Sequence, residues 1–254
     1  MIDFSESFID LPKRCNKPRA SGMTYVMDYG LSKRQLEDVV DVSGQYIDMI
    51  KFGWGTGLVV QGLNNKIEYL NKNGIDYYFG GTMFELAYLH NKLDDFCIWL
   101  EERNVNFIEV SDGSLSLDLD IKLKLIERLS KKFKVIIEIG SKDNEFVLPP
   151  SKWISEIKGY LSAGVYKVMA EGRESGQAGI YRQSGEIRMG LIEEILSADI
   201  SSSDLIFEAP NKDQQLWFIK NVGMEVNLGN IRPDDVINLE TLRLGLRSEA
   251  INIK

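Results

Sequence analysis

The chain has 254 residues, of which 44% are hydrophobic and 27% are charged. That length fits one α/β barrel or two small domains, and it is ample for burying a large core. The net charge of −8 argues against general nucleic-acid binding, which relies on a basic surface that displaces counterions. Small anionic substrates stay possible, because a few cationic side chains can dominate the field inside a cleft.

The N-terminal segment MIDFSESFIDLP is acidic where a secretory signal peptide would be basic and then apolar. No uncharged apolar stretch of the sequence is long enough to span a bilayer. Cys15 and Cys97 are too few and too far apart for a disulfide framework or a metal cluster, so reduced thiols are expected. These features predict a cytoplasmic protein without a membrane partner.

After a lead-in of about 20 residues, short β-rich runs alternate with stretches that have helical apolar spacing. The eight predicted strands are, in chain order, Thr24 to Asp28, Ile47 to Phe52, Tyr77 to Phe79, Phe107 to Val110, Val135 to Glu138, Tyr166 to Glu171, Leu205 to Glu208 and Glu225 to Asn227. No linker rich in Pro, Gly or Ser separates them, so residues 1–254 are predicted to form one α/β domain, a single (β/α)8 TIM barrel. The alternative is an open doubly wound sheet, which would normally show a topological break and one dominant phosphate loop.

Three glutamates end consecutive predicted strands: Glu138, Glu171 and Glu208. The carboxyl ends of barrel strands meet at one face, so these carboxylates are expected near one another. Clustered carboxylates repel one another unless a cation compensates them, and hard oxygen ligands favour Mg²⁺. The pattern predicts a magnesium site, with rim ion pairs to neighbouring Lys or Arg residues as the alternative.

Candidate anion binders follow the sixth and eighth predicted strands. Gly172 and Arg173 offer close backbone N–H groups and a planar guanidinium fork that matches phosphate oxygens. Asn227, Gly229 and Asn230 lie where barrels often bind phosphate, on the loops after the last two strands. We predict substrate binding at these positions, and a catalytic role as well for Arg173. Tight turn geometry is the alternative for each glycine.

Two lysines, Lys51 and Lys142, are predicted catalytic residues that would act on an anionic substrate. Lys51 lies late in the second strand and could hold the substrate or pair with Asp28, itself a candidate substrate contact at the end of the first strand. Lys142 lies in a polar loop after the fifth strand and could deliver a proton, or be an ordinary exposed lysine. His90 is the only histidine and lies on a predicted helix surface, so no Ser/His/Asp or Cys/His nucleophile arrangement is expected.

The segments KFGWGTG, GGTMFE, EVSDGS, EGRESG, IFEAP and VNLGNI occur in this order and are followed by LETLRLGLR. Over about residues 18 to 248 the chain resembles the phosphosulfolactate synthase family. The resemblance implies a (β/α)8 barrel that adds sulfite to C3 of phosphoenolpyruvate with Mg²⁺ and gives (R)-2-phospho-3-sulfolactate, a carbon–sulfur lyase reaction that opens a route to coenzyme M in archaea. It also implies that Lys142 matches the family's candidate general acid. A homo-oligomer is expected.

The sequence departs from the family pattern at several points. Tyr29 stands where archaeal members carry the Lys of IDKG, Gly57 stands where GTS is usual, and Gly229 stands where NLAN is usual; residues 248–250 read SEA instead of GDT. Loss of a first-strand cation could weaken sulfite or phosphate binding. Two other interpretations therefore stay open: a related barrel lyase or transferase acting on another phosphorylated or carboxylated enol, and a non-catalytic relative resembling a heat-stress-associated plant branch.

Overall fold

The computed structural model describes residues 7–115, 117–140 and 148–251 of the chain. Within these ranges strands and helices alternate along the sequence. The strands are β1 (Thr24–Asp28), β2 (Met49–Phe52), β3 (Asp76–Phe79), β4 (Phe107–Val110), β5 (Lys134–Ile139), β6 (Lys167–Ala170), β7 (Leu205–Glu208) and β8 (Leu228–Ile231). The helices are α1 (Lys33–Ser43), α2 (Thr56–Val59), α3 (Leu63–Lys72), α4 (Gly81–Leu89), α5 (Leu93–Glu101), α6 (Leu119–Leu129), α7 (Pro150–Ser162), α8 (Met189–Ser197), α9 (Lys212–Asn221) and α10 (Val236–Arg243).

The eight strands of the described residues form one parallel sheet in the order β3-β2-β1-β8-β7-β6-β5-β4. Because β1 pairs with β8, the first and last strands are neighbours, as a barrel requires. The two ends of the order, β3 and β4, lie side by side and bring the sheet almost to closure. The predicted (β/α)8 TIM barrel is confirmed, and the open doubly wound alternative is wrong.

The strands are buried on both faces, which explains their apolar, β-branched and aromatic runs. The helices instead bury one stripe each. In α1, for example, Leu36 and Val40 pack inward, and Ser32 and Gln35 form a capping box that satisfies the first amides of the helix. This layering fixes which strand ends can meet, because each helix returns the chain to the same end of the barrel.

The lead-in lies against the amino-terminal end of the barrel. Arg14 Nε donates to Glu240 Oε1 on α10 at 2.8 Å, and Arg19 Nε donates to Asp48 Oδ1 just before β2 at 2.8 Å. Both arginines are buried, so these are interior ion pairs that join the lead-in to the barrel floor. Across the described ranges, no helix combines the length and the apolar character needed to cross a membrane.

Candidate active site

A cavity of about 310 Å³ opens at the carboxyl ends of the strands. Among the described residues, five glutamates and two cationic side chains line it: Glu109, Glu138, Glu171, Glu174, Glu208, Lys51 and Arg173. The remaining lining residues are Met27, Trp54, Gly80, Gly81, Thr82, Ser114 and Asn230. The structure thus brings the three predicted metal ligands, Glu138, Glu171 and Glu208, to one cavity.

Lys51 lies at the centre of this acidic cluster. Its Nζ is 2.9 Å from Glu109 Oε2, 3.1 Å from Glu138 Oε1 and 3.6 Å from Glu208 Oε1. Burial by itself lowers the pKa of Lys51, but the facing carboxylates, Glu109 first, raise it well above its ordinary value. Lys51 is therefore a fixed ammonium at the floor of the cavity.

Glu109 was not predicted as a site residue. It lies on β4, and its Oε1 accepts a hydrogen bond from the backbone N–H of Gly81 at the start of α4. Burial, and then the nearby Glu138 carboxylate, raise the pKa of Glu109 to about 8 against the attraction of Lys51. Lys51 is shared among Glu109, Glu138 and Glu208, so the acid form of Glu109 is favoured over that of a free glutamate.

Glu208 is held in place by the loop that follows β6. Its Oε2 accepts from the backbone N–H groups of Gly172 at 2.8 Å and of Arg173 at 2.9 Å. Arg173 N also donates to Glu171 Oε1 at 2.8 Å. Burial raises the pKa of Glu208, while Lys51 and the Gly172 N–H oppose the shift. The loop backbone is thus part of the carboxylate network.

Arg173 and Asn230 line the cavity from two different elements, the loop after β6 and strand β8. Arg173 has a left-handed φ of 57° and is exposed at the cavity edge. Asn230, with a φ of 55°, is buried and lines the cavity from β8. Non-glycine residues in this region of backbone space are uncommon and often mark functional positions. Both stay candidates for substrate contact.

Asn227 and Gly229, the other two candidate residues near the eighth strand, make contacts within the barrel itself. Because β8 begins at Leu228, three residues after the predicted start, Asn227 lies at the amino end of the barrel. Its side-chain amide donates to Ser203 O at 3.0 Å and Leu205 O at 2.8 Å, and its Oδ1 accepts from Met23 N. The prediction that Asn227 binds substrate is therefore wrong.

Gly229 lies inside the barrel, paired in register with Glu208. A Cβ atom built there would lie 3.2 Å from Ile206 Cγ2 and 3.6 Å from Met169 Cε. A side chain at this position would thus be tight against Ile206 inside the barrel, and the predicted anion contact of Gly229 stays a prediction.

Asp28 lies outside the cavity, contrary to its predicted role as a substrate contact. Since side chains alternate along a strand, the cavity is lined by Met27 and Asp28 faces the surrounding helices. Its Oδ1 accepts from Gly30 N and Leu31 N, and its Oδ2 forms an ion pair with Lys66 on α3. The alternative that Lys51 pairs with Asp28 is therefore wrong.

Lys142 lies in the segment 141–147, outside the described residues. Its predicted role as a proton donor therefore stays a prediction. The segment follows β5, which carries Glu138 into the cavity.

Residues 12–249 match the profile of the (2R)-phospho-3-sulfolactate synthase (ComA) family. The chain belongs to this family. It is 41% identical to the phosphosulfolactate synthase of Bacillus subtilis (strain 168) over 251 residues, 98% of each chain. It is 37% identical to the phosphosulfolactate synthase of Methanothermobacter thermautotrophicus, covering 94% of this chain and 95% of that one. The predicted family is confirmed.

Solved structures support the fold. The 3-hexulose-6-phosphate synthase of Salmonella typhimurium superposes with a TM-score of 0.54 at 11% identity, covering 85% of this chain and 90% of that chain. Identity at this level is evidence of a shared barrel architecture and not of shared chemistry.

The cavity of this phosphosulfolactate synthase family member offers the donor chemistry of a magnesium site. Within the described ranges, no three His, Cys, Asp or Glu side chains are arranged to hold a metal ion, and Glu138 and Glu208 turn toward Lys51. The lining nevertheless supplies several carboxylate oxygens and the buried Asn230 Oδ1, which accepts no hydrogen bond from the described residues. Mg²⁺ is commonly held by one or two carboxylates with water and substrate oxygens, so these residues fit the ion.

Proposed function

We propose that this protein is a phosphosulfolactate synthase that joins sulfite to C3 of phosphoenolpyruvate with Mg²⁺ and releases (R)-2-phospho-3-sulfolactate. The supporting observation is the surplus of glutamates over cations in the cavity of a chain that belongs to this family. Two anionic reactants cannot enter such a cavity without a compensating positive charge. A divalent cation provides that charge and accepts oxygen ligands.

Glu138, Glu171 and Glu208 are the proposed magnesium ligands, and Asn230 lines the same cavity. When bound, Mg²⁺ would stabilise negative charge that develops on the substrate carboxylate. Lys51 would keep two of these carboxylates close together before the ion binds, because its ammonium faces both Glu138 and Glu208.

The remaining steps fall to the side chains of the chain itself. Arg173, at the cavity edge, would bind the phosphate of phosphoenolpyruvate through its planar fork. The sulfite sulfur forms the bond to C3, the C2–C3 π electrons move toward C2 and the carboxylate, and C2 then takes a proton. Lys142 is the proposed donor of that proton, because a lysine is mostly protonated at neutral pH.

We also propose that the enzyme is a carbon–sulfur lyase that acts in the cytoplasm as a homo-oligomer. Light scattering coupled to gel filtration tests the oligomer, and a monomeric mass would contradict it.

The decisive experiment incubates the purified protein with phosphoenolpyruvate, sulfite and MgCl₂ and identifies the product by mass spectrometry. Matched reactions omit sulfite, omit phosphoenolpyruvate or contain excess EDTA. Phosphosulfolactate should form in the complete mixture alone. Full product formation in EDTA would contradict the role of magnesium, and no product in any mixture would contradict the proposed reaction.

A second function is favoured by Tyr29, which replaces a lysine of archaeal members. Its ring packs against Trp54 with centroids 5.1 Å apart, beside the cavity. Burial, and then the carboxylates of Glu174 and Glu208, raise the pKa of the Tyr29 phenol, so the side chain stays neutral at neutral pH. A phenol cannot supply the positive charge of the lysine that it replaces. A barrel lyase or transferase for another phosphorylated or carboxylated enol would follow if other enols react while phosphoenolpyruvate with sulfite does not.

A further inference from the structure

The loop between β6 and α8 begins with the residues that hold Glu208 and ends at Arg188. It carries Glu171, Arg173 and Glu174 into the cavity, so its position sets where these groups lie. Close behind them the loop turns back: Gly176 N donates to Arg173 O at 3.2 Å. A contact that fixes the backbone of Gly176 therefore also restricts the backbone of Arg173.

Gln214 on α9 contacts this loop at two points. Its Nε2 donates to Gly176 O at 2.8 Å and to Gly185 O at 3.2 Å. Its Oε1 accepts from Asn211 N at 3.3 Å, as part of the capping box of α9. Gln214 is 3% exposed, and the three bonds of its side chain use both ends of the amide.

The fit around Gly176 is close. Gly176 has a φ of 65°, and a Cβ atom there would lie 2.4 Å from Gln214 Nε2. Asn211 adds a neighbouring bond from its Nδ2 to Ser175 O at 3.1 Å. The start of α9 thus binds the loop directly behind the turn that presents Arg173.

We propose that Gln214 is a positioning residue that fixes the Arg173 turn and, through the amides of Gly172 and Arg173, the carboxylate of Glu208. Because both groups belong to the proposed site for an anionic substrate and its cation, Gln214 sets the affinity for the phosphorylated substrate. This inference depends on the proposed function for the identity of that substrate. The tether itself is independent of it.

The test compares Gln214→Met with Gln35→Met. Gln35 holds the same capping-box position on α1, with its Oε1 accepting from Ser32 N at 2.9 Å, and it is exposed at the start of that helix. Both variants lose a capping box, and Gln214→Met alone also loses the bonds to the loop. Gln214→Glu is a second variant, since a glutamate keeps the cap and replaces the donor by an oxygen.

The first readout is hydrogen exchange of the amides in residues 172–188. The exchange rate should rise at least tenfold in Gln214→Met and Gln214→Glu, because losing about one buried hydrogen bond makes local opening of the loop easier. It should stay unchanged in Gln35→Met. Unchanged exchange in a folded Gln214 variant would overturn the tether, whatever the enzyme's substrate is.

The second readout is binding of phosphoenolpyruvate by calorimetry, followed by steady-state kinetics. Kd and KM should rise roughly tenfold in Gln214→Met, with kcat within threefold, and both should be unchanged in Gln35→Met. In an Arg173→Ala background, Gln214→Met should raise Kd and KM by less than a further threefold, since the two residues act through one turn. Full additivity, or a changed exchange rate with normal Kd and KM, would overturn the positioning role. If the wild-type protein does not bind phosphoenolpyruvate, the proposed function fails, and the exchange measurement still decides the tether.

Discussion

At the scale of single residues, the unusual group is Glu109, a buried acid that shares one ammonium with two other carboxylates. Its pKa of about 8 lies above the ordinary value of 4.5, so the folded state holds a proton that the unfolded state releases between these two values. The stability that this group contributes is therefore full below pH 4.5 and is lost as pH rises toward 8.

We expect Glu109→Gln to remove that part of the pH dependence. Between pH 5 and 8 the wild-type unfolding free energy should fall by up to about 1.4 kcal/mol per pH unit more than that of the variant. Urea unfolding at several pH values measures both curves. Parallel curves would show that Glu109 is ionised in the folded protein and shares Lys51 on equal terms.

A variant at Lys142 can distinguish a role in proton delivery from a role in anion binding. If it protonates C2, Lys142→Ala should lower turnover by roughly 10² to 10⁴, with little change in the binding of phosphoenolpyruvate. If it holds sulfite instead, saturating sulfite should recover most of the rate. Initial rates over a grid of both substrates distinguish the two outcomes, and near-normal turnover would remove Lys142 from the mechanism.

At the scale of elements, Asn227 shows that the two ends of a strand have different roles. Asn227→Ala should leave Met23 N, Ser203 O and Leu205 O without their side-chain partner and lower the unfolding free energy by about 1–3 kcal/mol. KM should stay at the wild-type value, because the side chain lies at the amino end of the barrel. Asn221→Ala is the control, since its amide makes one exposed bond to Trp217 O. A raised KM in a stable Asn227→Ala protein would restore its predicted substrate role.

The same strand shows what the sequence could and could not predict. Strands β1, β4 and β7 have their predicted bounds, because each is a short, mostly apolar run whose last or next-to-last residue is acidic. The eighth strand was predicted three residues early, since LGNI contains Gly and Asn, which are depleted in strands, and Asn230 has a left-handed backbone. The position of β8 is decided by its pairing with β7 and β1, which is a tertiary effect.

Part of the candidate site could also be predicted from the sequence. The placement of Glu138, Glu171 and Glu208 at one cavity followed from their position at consecutive strand ends. The contacts of Lys51 could not follow from strand order, because they depend on how far a long side chain reaches across the barrel. The pairing of Asp28 with Lys66 joins residues 38 apart on different elements and has no local pattern.

At the scale of the whole molecule, cation binding at the cavity should be linked to folding. Glutamates from β5, the β6–α8 loop and β7 converge there, so an ion held between them joins three consecutive units of the barrel. A ligand that binds only the folded state stabilises it by about 2.7 kcal/mol when present at 100 times its Kd. For a chain of this size, 1 kcal/mol corresponds to roughly 2–4 °C in Tm.

Saturating MgCl₂ should therefore raise the Tm of the wild-type protein by about 5–10 °C relative to NaCl at equal ionic strength. The rise should disappear in the double variant Glu138→Gln with Glu171→Gln, because two of the proposed oxygen anions are gone. Glu68→Gln, an exposed change on α3, should keep it. Differential scanning calorimetry measures all three. If MgCl₂ stabilises the double variant as much as the wild type, the ion binds elsewhere, and the charge of the acidic cavity must be balanced by protons and by cationic side chains, Lys51 and Arg173 among them.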